Sequence, residues 1–207
     1  MIITCENLGK KYNKEWIFKG ITDSYSTNDF CLVQGGNGSG KSTFLKLISG
    51  FLTPSAGSVS YNREGTKIVV DTVYKKVAYC APYIDVFEQY TTFELFQFQS
   101  RLKPFIDKID YTAFMEIIRL SNVKNKPIKD FSSGMKQRIK LGLAILAETE
   151  ILLLDEPSSN LDKEAMRWYQ ETIDKYKENR IVFVASNKIE EESFFCNKSI
   201  NIIDFKS

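Results

Sequence analysis

Nine consecutive residues carry the clearest capacity for chemistry: Gly35-Gly36-Asn37-Gly38-Ser39-Gly40-Lys41-Ser42-Thr43. They meet every fixed position of G-x-x-x-x-G-K-[ST]. They also follow a short apolar run, Phe30 to Gln34 (FCLVQ), and precede a second, Phe44 to Ile48 (FLKLI). That is the strand, loop and helix context the motif needs. Gly35, Gly38 and Gly40 let the backbone fold tightly, so that N–H groups along Asn37 to Thr43 turn inward on an anion. The helix that follows presents its positive end to the same anion. Lys41 supplies a point charge for the outer phosphates of a nucleotide, and the Ser42 hydroxyl supplies a ligand for Mg²⁺. A dinucleotide-binding loop uses a different glycine spacing.

A second signal lies downstream. Ile151 to Leu154 (ILLL) is an apolar strand that delivers Asp155 and Glu156 to its C-terminal end, where α/β sheets bind ligands. Asp155 is placed to hold Mg²⁺ or its waters. Glu156, one residue on, is placed to polarise an attacking water. An acidic turn alone would carry no such reading. Beside a phosphate loop, it completes a metal–nucleotide site.

These groups need a frame to hold them. Met1 to about Thr27 mixes apolar and polar residues as strands do. Ser58 to Tyr61, Lys67 to Val73 and Val77 to Tyr79 read as further short strands. Phe93 to Leu102 and about Tyr111 to Leu120 carry helical spacing, with Pro104 and Pro127 as punctuation. Gly134 opens another helical stretch. Lys163 to Lys177 has an apolar stripe of Ala165, Trp168, Tyr169, Ile173 and Tyr176, and Ile181 to Ala185 (IVFVA) reads as a last core strand. Alternating apolar strands and helices predict an α/β fold with parallel pairing.

The 207 residues suit one large domain, or one with a small subdomain. At 43% hydrophobic and 26% charged, the composition is that of an ordinary globular protein. A net charge of +2 makes no case for nucleic acid. No apolar run approaches the roughly 20 residues that cross a bilayer, so a membrane role would need another chain to span. Cys5, Cys31, Cys80 and Cys196 are widely spaced and read as reduced core thiols. The absence of histidine excludes histidine-based zinc sites and triads.

Taken together, the motifs resemble those of the ATP-binding cassette (ABC) ATPases over nearly the whole chain. Phe131-Ser132-Ser133-Gly134-Met135 is similar to the family signature, Asp155-Glu156-Pro157 follows at the expected spacing, and Ser159-Asn160-Leu161-Asp162 matches the D-loop. The resemblance implies a P-loop ATPase core with an N-terminal antiparallel β part, covering about 1–87 and 134–207, and an inserted helical subdomain over about 88–133. It also implies a head-to-tail pair of cassettes, a homodimer or a heterodimer, sandwiching two ATP molecules. Ser132 and Gly134 of one cassette would touch the γ-phosphate held by Lys41 of the other, and Asp162 would lie at the interface. Tyr12 occupies the position of the adenine-stacking aromatic, and a surface tyrosine there is the competing reading.

Three departures stand out. Pro82 falls where the family carries a glutamine that ligates Mg²⁺, with Asp85 nearby as a substitute oxygen. Asn187 takes the place of the switch histidine, so it can donate a hydrogen bond to phosphate but cannot carry a proton. The signature is loosened at Phe131, Ser133 and Met135. The resemblance implies a slow or partner-dependent Mg²⁺-ATPase at the cytoplasmic face of a membrane. An integral membrane transporter subunit would dock near Pro82 to Tyr90, where Tyr83, Phe87 and Tyr90 read equally as groove fillers or as core. A role in envelope or scaffold assembly is the alternative, and no nucleic-acid partner is expected.

Overall fold

The computed structural model describes residues 1–123, 126–187 and 189–206. Residues 124 and 125 of the inserted segment, Lys188 and Ser207 therefore lie outside the described residues. In chain order, strands β1 (Ile2–Tyr12), β2 (Glu15–Ser26) and β3 (Phe30–Gln34) lead to helix α1 (Lys41–Ile48). Strands β4 (Ala56–Arg63), β5 (Thr66–Ile68) and β6 (Val77–Cys80) follow, then helices α2 (Thr92–Leu102), α3 (Tyr111–Ile117) and α4 (Ser133–Ile145). The chain closes with β7 (Ile151–Asp155), α5 (Lys163–Tyr176), β8 (Ile181–Ala185), α6 (Ile189–Glu192) and β9 (Lys198–Asn201).

Two sheets result. One is antiparallel, in the order β2-β1-β4-β5; the other has five strands in the order β6-β7-β8-β3-β9, and every pairing in it is parallel. Side chains alternate across a strand. Ile151 and Leu153 of β7, with Ile181 and Phe183 of β8, therefore face the antiparallel sheet and α1. Leu152, Leu154, Val182 and Val184 face the helical layer on the other side. With both faces covered, these strands read as continuous apolar runs instead of alternating ones. Of the stripe on α5, Ala165, Trp168, Tyr169 and Ile173 are buried as its spacing predicts, and Tyr176 at its end is half-buried. Asp162 caps that helix by accepting from the Ala165 N–H at 2.8 Å.

Three elements differ from expectation. Ile181–Ala185 is not the last strand of the core sheet, because β9 (Lys198–Asn201) pairs in parallel with β3 at its edge. The strand predicted over Lys67 to Val73 pairs only as far as Ile68, and Val70–Lys76 is a 3₁₀ turn. Thr72 N–H and Oγ1 both bond back to the Val69 carbonyl, at 2.9 and 2.8 Å. Of the valines there, only Val73 reaches the core, while Val69 and Val70 are exposed. Without a neighbouring strand, β-branching alone does not hold a segment extended. Helix α3 stops at Ile117, three residues before the predicted end. Arg119 is left-handed (φ 57°), and the Leu120 N–H bonds the Met115 carbonyl at 2.9 Å, closing the helix in a Schellman turn.

Candidate functional site

The glycine loop leaves β3 and enters α1 without a spacer. Gly40 caps α1 in a left-handed conformation (φ 110°) and brings no side-chain oxygen to the free N–H groups of the first turn. Those donors are thus open to an anion. Glycine is required sterically as well: a Cβ on Gly40 would lie 2.4 Å from Ile17 Cγ2, and one on Gly35 would lie 2.4 Å from Ser39 Oγ. Lys41 is 5% exposed. Its ammonium donates to the Gly35 and Gly36 carbonyls at 2.8 and 3.2 Å and to Asn187 Oδ1 at 2.8 Å, which holds it at the centre of the loop. Ser39 Oγ is buried with no hydrogen-bond partner among the described residues. An open cavity of about 400 Å³ is lined by Ile17, Asn37, Gly38, Ser39, Gly40, Lys41, Ser42, Thr43 and Glu156.

The parallel sheet brings the acids to this loop. Asp155 on β7 pairs with Ala185 on β8, which pairs with Val33 on β3, so three strand ends form one row. Asp155 is 3% exposed. Burial pushes its carboxyl above the usual range and Glu156 adds to the rise, while hydrogen bonds from Ser42 and Tyr79 and the charge of Lys41 oppose it. A carboxylate disfavoured by burial gains from a nearby dication, and Ser42 stands beside it as a second oxygen. These residues fit Mg²⁺.

Glu156 leaves the strand direction. Its φ is 46°, an uncommon conformation for a non-glycine residue and of the kind that clusters at functional sites. Its N–H makes a last bond to the Ala185 carbonyl at 2.8 Å, and its carboxylate turns toward the loop, accepting from Asn187 Nδ2 at 3.5 Å. The same Asn187 Nδ2 also donates to Asn37 Oδ1. One amide therefore joins Lys41, the loop and Glu156.

The other predicted residues lie elsewhere. Ser132 is the N-cap of α4, accepting from the Met135 N–H at 3.3 Å. Gly134 packs so close to the D-loop that a Cβ would lie 3.2 Å from the Asn160 carbonyl. Neither Ser132 nor Gly134 lines the cavity at the glycine loop, and Tyr12 does not line it either. Tyr12 ends β1, is 46% exposed, and has the Lys10 ammonium 5.4 Å from its ring centroid. Asp85 lines a groove with Phe87, Lys103 and Lys140 and not the cavity at the glycine loop. Tyr83 and Phe87 are exposed, while Tyr90 is half-buried.

Sequence reasoning missed three residues. Tyr79 donates its hydroxyl to Asp155 Oδ2 at 3.4 Å. Gln137, 1% exposed on α4, donates Nε2 to the Pro157 carbonyl at 2.9 Å. Glu192, 2% exposed on α6, accepts the Ser158 N–H at 2.9 Å. A buried glutamine or glutamate in an otherwise apolar layer must find a partner. Their sequence neighbours do not show which partner it is.

The family model described as ABC transporter matches residues 18–159. The chain belongs to the ABC transporter family. It is similar to ABC transporter A family member 11 of Dictyostelium discoideum, at 30% identity over 100% of this chain and 26% of that protein. It is also similar to the linearmycin resistance ATP-binding protein LnrL of Bacillus subtilis (strain 168), at 29% identity over 98% of this chain and 66% of that one. The cassette thus spans less than two thirds of either relative. A Pyrococcus furiosus structure described as an ABC transporter ATP-binding protein superposes with a TM-score of 0.84 at 24% identity, covering 100% of both chains. A second structure, of an ATP-binding subunit of an ABC transporter, gives 0.82 at 23% identity, covering 97% of this chain and 85% of that one. The fold is that of a P-loop ABC ATPase with an N-terminal antiparallel sheet and an inserted helical part.

Proposed function

We propose that this cassette hydrolyses ATP with Mg²⁺, paired head to tail with a second cassette, and drives a membrane transporter subunit. The carrying observation is the Lys41 ammonium, held among loop carbonyls beneath an uncapped helix start and beside Asp155 and Ser42. In this reading, outer phosphates replace the loop carbonyls and Asn187 as partners of Lys41. The N–H groups of Gly38 to Thr43 receive the phosphate oxygens, and Asp155 and Ser42 hold Mg²⁺. When bound, Mg²⁺ neutralises charge between neighbouring phosphates. Glu156 orients a water whose oxygen attacks the γ-phosphorus as the bond to the bridging oxygen breaks, releasing ADP and phosphate. Asn187 steadies Glu156 and donates to phosphate without exchanging a proton.

Ser132 and Gly134 stand away from this chain's own cavity, which supports their serving a partner's γ-phosphate from the start of α4. A division into a core of about 1–87 and 134–207 and a helical part of about 88–133 suits that geometry. For the membrane partner, a groove of about 750 Å³ runs beside α1, lined by Phe51, Tyr74, Tyr79, Tyr83 and Ile84 among others. Phe51 is 77% exposed and Tyr74 is 60% exposed. Exposed aromatics gathered in one groove suit a cytoplasmic helix of a membrane subunit. No helix among the described residues is long and apolar enough to cross a membrane; in this reading a membrane subunit supplies the span. The proposal places the cassette at the cytoplasmic face.

The test is mild extraction from the native membrane with Mg-ATP present, followed by identification of stoichiometric partners and an ATPase assay. A multi-span protein bound in fixed ratio, with ATP turnover, supports the reading. A cassette recovered alone, or with a scaffold protein only, overturns transport in favour of the assembly role. The loss of a titrating side chain at position 187 favours a pair in which the second cassette is the faster one.

A further inference from the structure

Tyr79 and Tyr83 join the metal side of the phosphate site to the groove beside it. Tyr79 on β6 lies opposite Leu153 in parallel register. Leu153 and Asp155 are two apart on β7 and share a face, so the Tyr79 ring emerges beside Asp155. Its hydroxyl lies 3.4 Å from Asp155 Oδ2 and 2.5 Å from the Tyr83 hydroxyl. The two rings meet edge to face, with centroids 6.4 Å apart. Tyr83 is 50% exposed in the groove, with the Lys46 ammonium 4.2 Å from its ring centroid. Lys46 stands in the last turn of α1, the helix whose first turn carries Lys41 and Ser42.

The direction of this chain of oxygens follows from what each group can do. An ionised carboxylate only accepts, and a phenol has one proton to give. Tyr79 must spend its proton on Asp155, and it then accepts from Tyr83. Pro82, between them in sequence, has no side-chain donor or acceptor.

We propose that Tyr79 is a positioning residue for Asp155, itself oriented by Tyr83, and that this hydroxyl pair couples the groove to the metal side of the phosphate site. The proposal rests on the ATP and Mg²⁺ reading above. Partners that orient a metal-binding carboxylate set its affinity for the ion, commonly by about tenfold or more. A side chain entering the groove would move Tyr83, and through it the set of Asp155.

Tyr79→Phe, Tyr83→Phe and the double variant remove oxygens and keep the rings. ATP binding to each full chain is titrated calorimetrically at rising Mg²⁺ and again in EDTA. In Tyr79→Phe, the Mg²⁺ concentration for half-maximal effect should rise about tenfold, with affinity in EDTA held within about twofold. Tyr83→Phe should shift in the same direction by less. The double variant should match Tyr79→Phe, because the chain is already cut. An unmoved Mg²⁺ dependence in Tyr79→Phe overturns the inference alone. So does an additive double variant, or an equal loss with and without Mg²⁺, which would mark a packing role. A parent chain that binds ATP in neither condition overturns the ATP reading, and this inference with it.

Discussion

At the scale of single residues, the site is built around one amide and one ammonium. Lys41 is nearly buried, and its three donors are met by the Gly35 and Gly36 carbonyls and Asn187. Removing it should weaken binding and not merely slow turnover. Lys41→Ala is expected to weaken ATP affinity at least about tenfold, the worth of one charge-assisted contact. Glu156→Gln should leave affinity unchanged and lower hydrolysis by about 10²–10⁴, the range of a positioned base. Equilibrium binding and phosphate release measured on both variants check the contrast, and equal effects on both readouts would contradict the assigned roles. Asn187 makes a second prediction possible because the chain has no histidine. Asn187→His should introduce an inflection in the rate–pH profile near the imidazole value of about 6.5. The parent profile should lack that feature, and a parent inflection at the same place would assign it to another group.

At the scale of elements, the segment after Glu156 is tied on two sides. Gln137 from α4 bonds the Pro157 carbonyl, and Glu192 from α6 takes the Ser158 N–H. The start of α4 also carries Ser132 and Gly134, so the helix that would meet a partner's phosphate is fastened to the strand end that carries Glu156. Gln137→Leu keeps most of the volume and leaves a buried carbonyl unpaired. The expected cost is about 1–3 kcal/mol, read by denaturant unfolding. Turnover in the assembled pair should fall while ATP affinity of the isolated chain holds. A variant of parental stability and turnover would show that the bond does not matter. Sequence reading located α4 and the strand end correctly as separate elements. It could not see the bond between them, because residues 20 apart in the chain meet only once the helix packs on the sheet.

At the scale of the whole molecule, two apolar layers enclose the parallel sheet and set its alkaline limit. Burial, reinforced by Asp23, pushes the Cys5 thiol up to about 12. Burial likewise raises Cys80 and Cys196 to about 12 and lifts Cys31. A folded pKa above the unfolded thiol value of about 8.5 means the folded state holds its protons longer. Stability from these thiols is complete below that value and is lost as pH rises from it toward 12. Melting temperature should therefore be insensitive to these groups up to about pH 8 and fall steeply above pH 9. Cys5, Cys31 and Cys80 are buried and should react slowly with a thiol reagent in the native chain at pH 8, half-buried Cys196 should react faster than those three, and unfolded chain should titrate all four cysteines. Rapid labelling of more than one thiol in the native protein would contradict the burial argument.

The sequence by itself determined the phosphate loop, the acid pair at a strand end and the helical stripe of α5. Each depends on short-range spacing: a turn that needs glycine, a strand two-residue period, a helix 3.6-residue period. It also carried the departures at Pro82 and Asn187, since those are identities at motif positions. Tertiary structure decided what the departures are next to. The order β6-β7-β8-β3 sets Tyr79 beside Asp155 and brings Asn187 between Lys41 and Glu156, and no local pattern encodes strand order. The same cause explains the lost strand after Ile68. Val69 and Val70 have the side chains of a strand, but a strand persists only where a neighbour takes its hydrogen bonds and a core takes its apolar face.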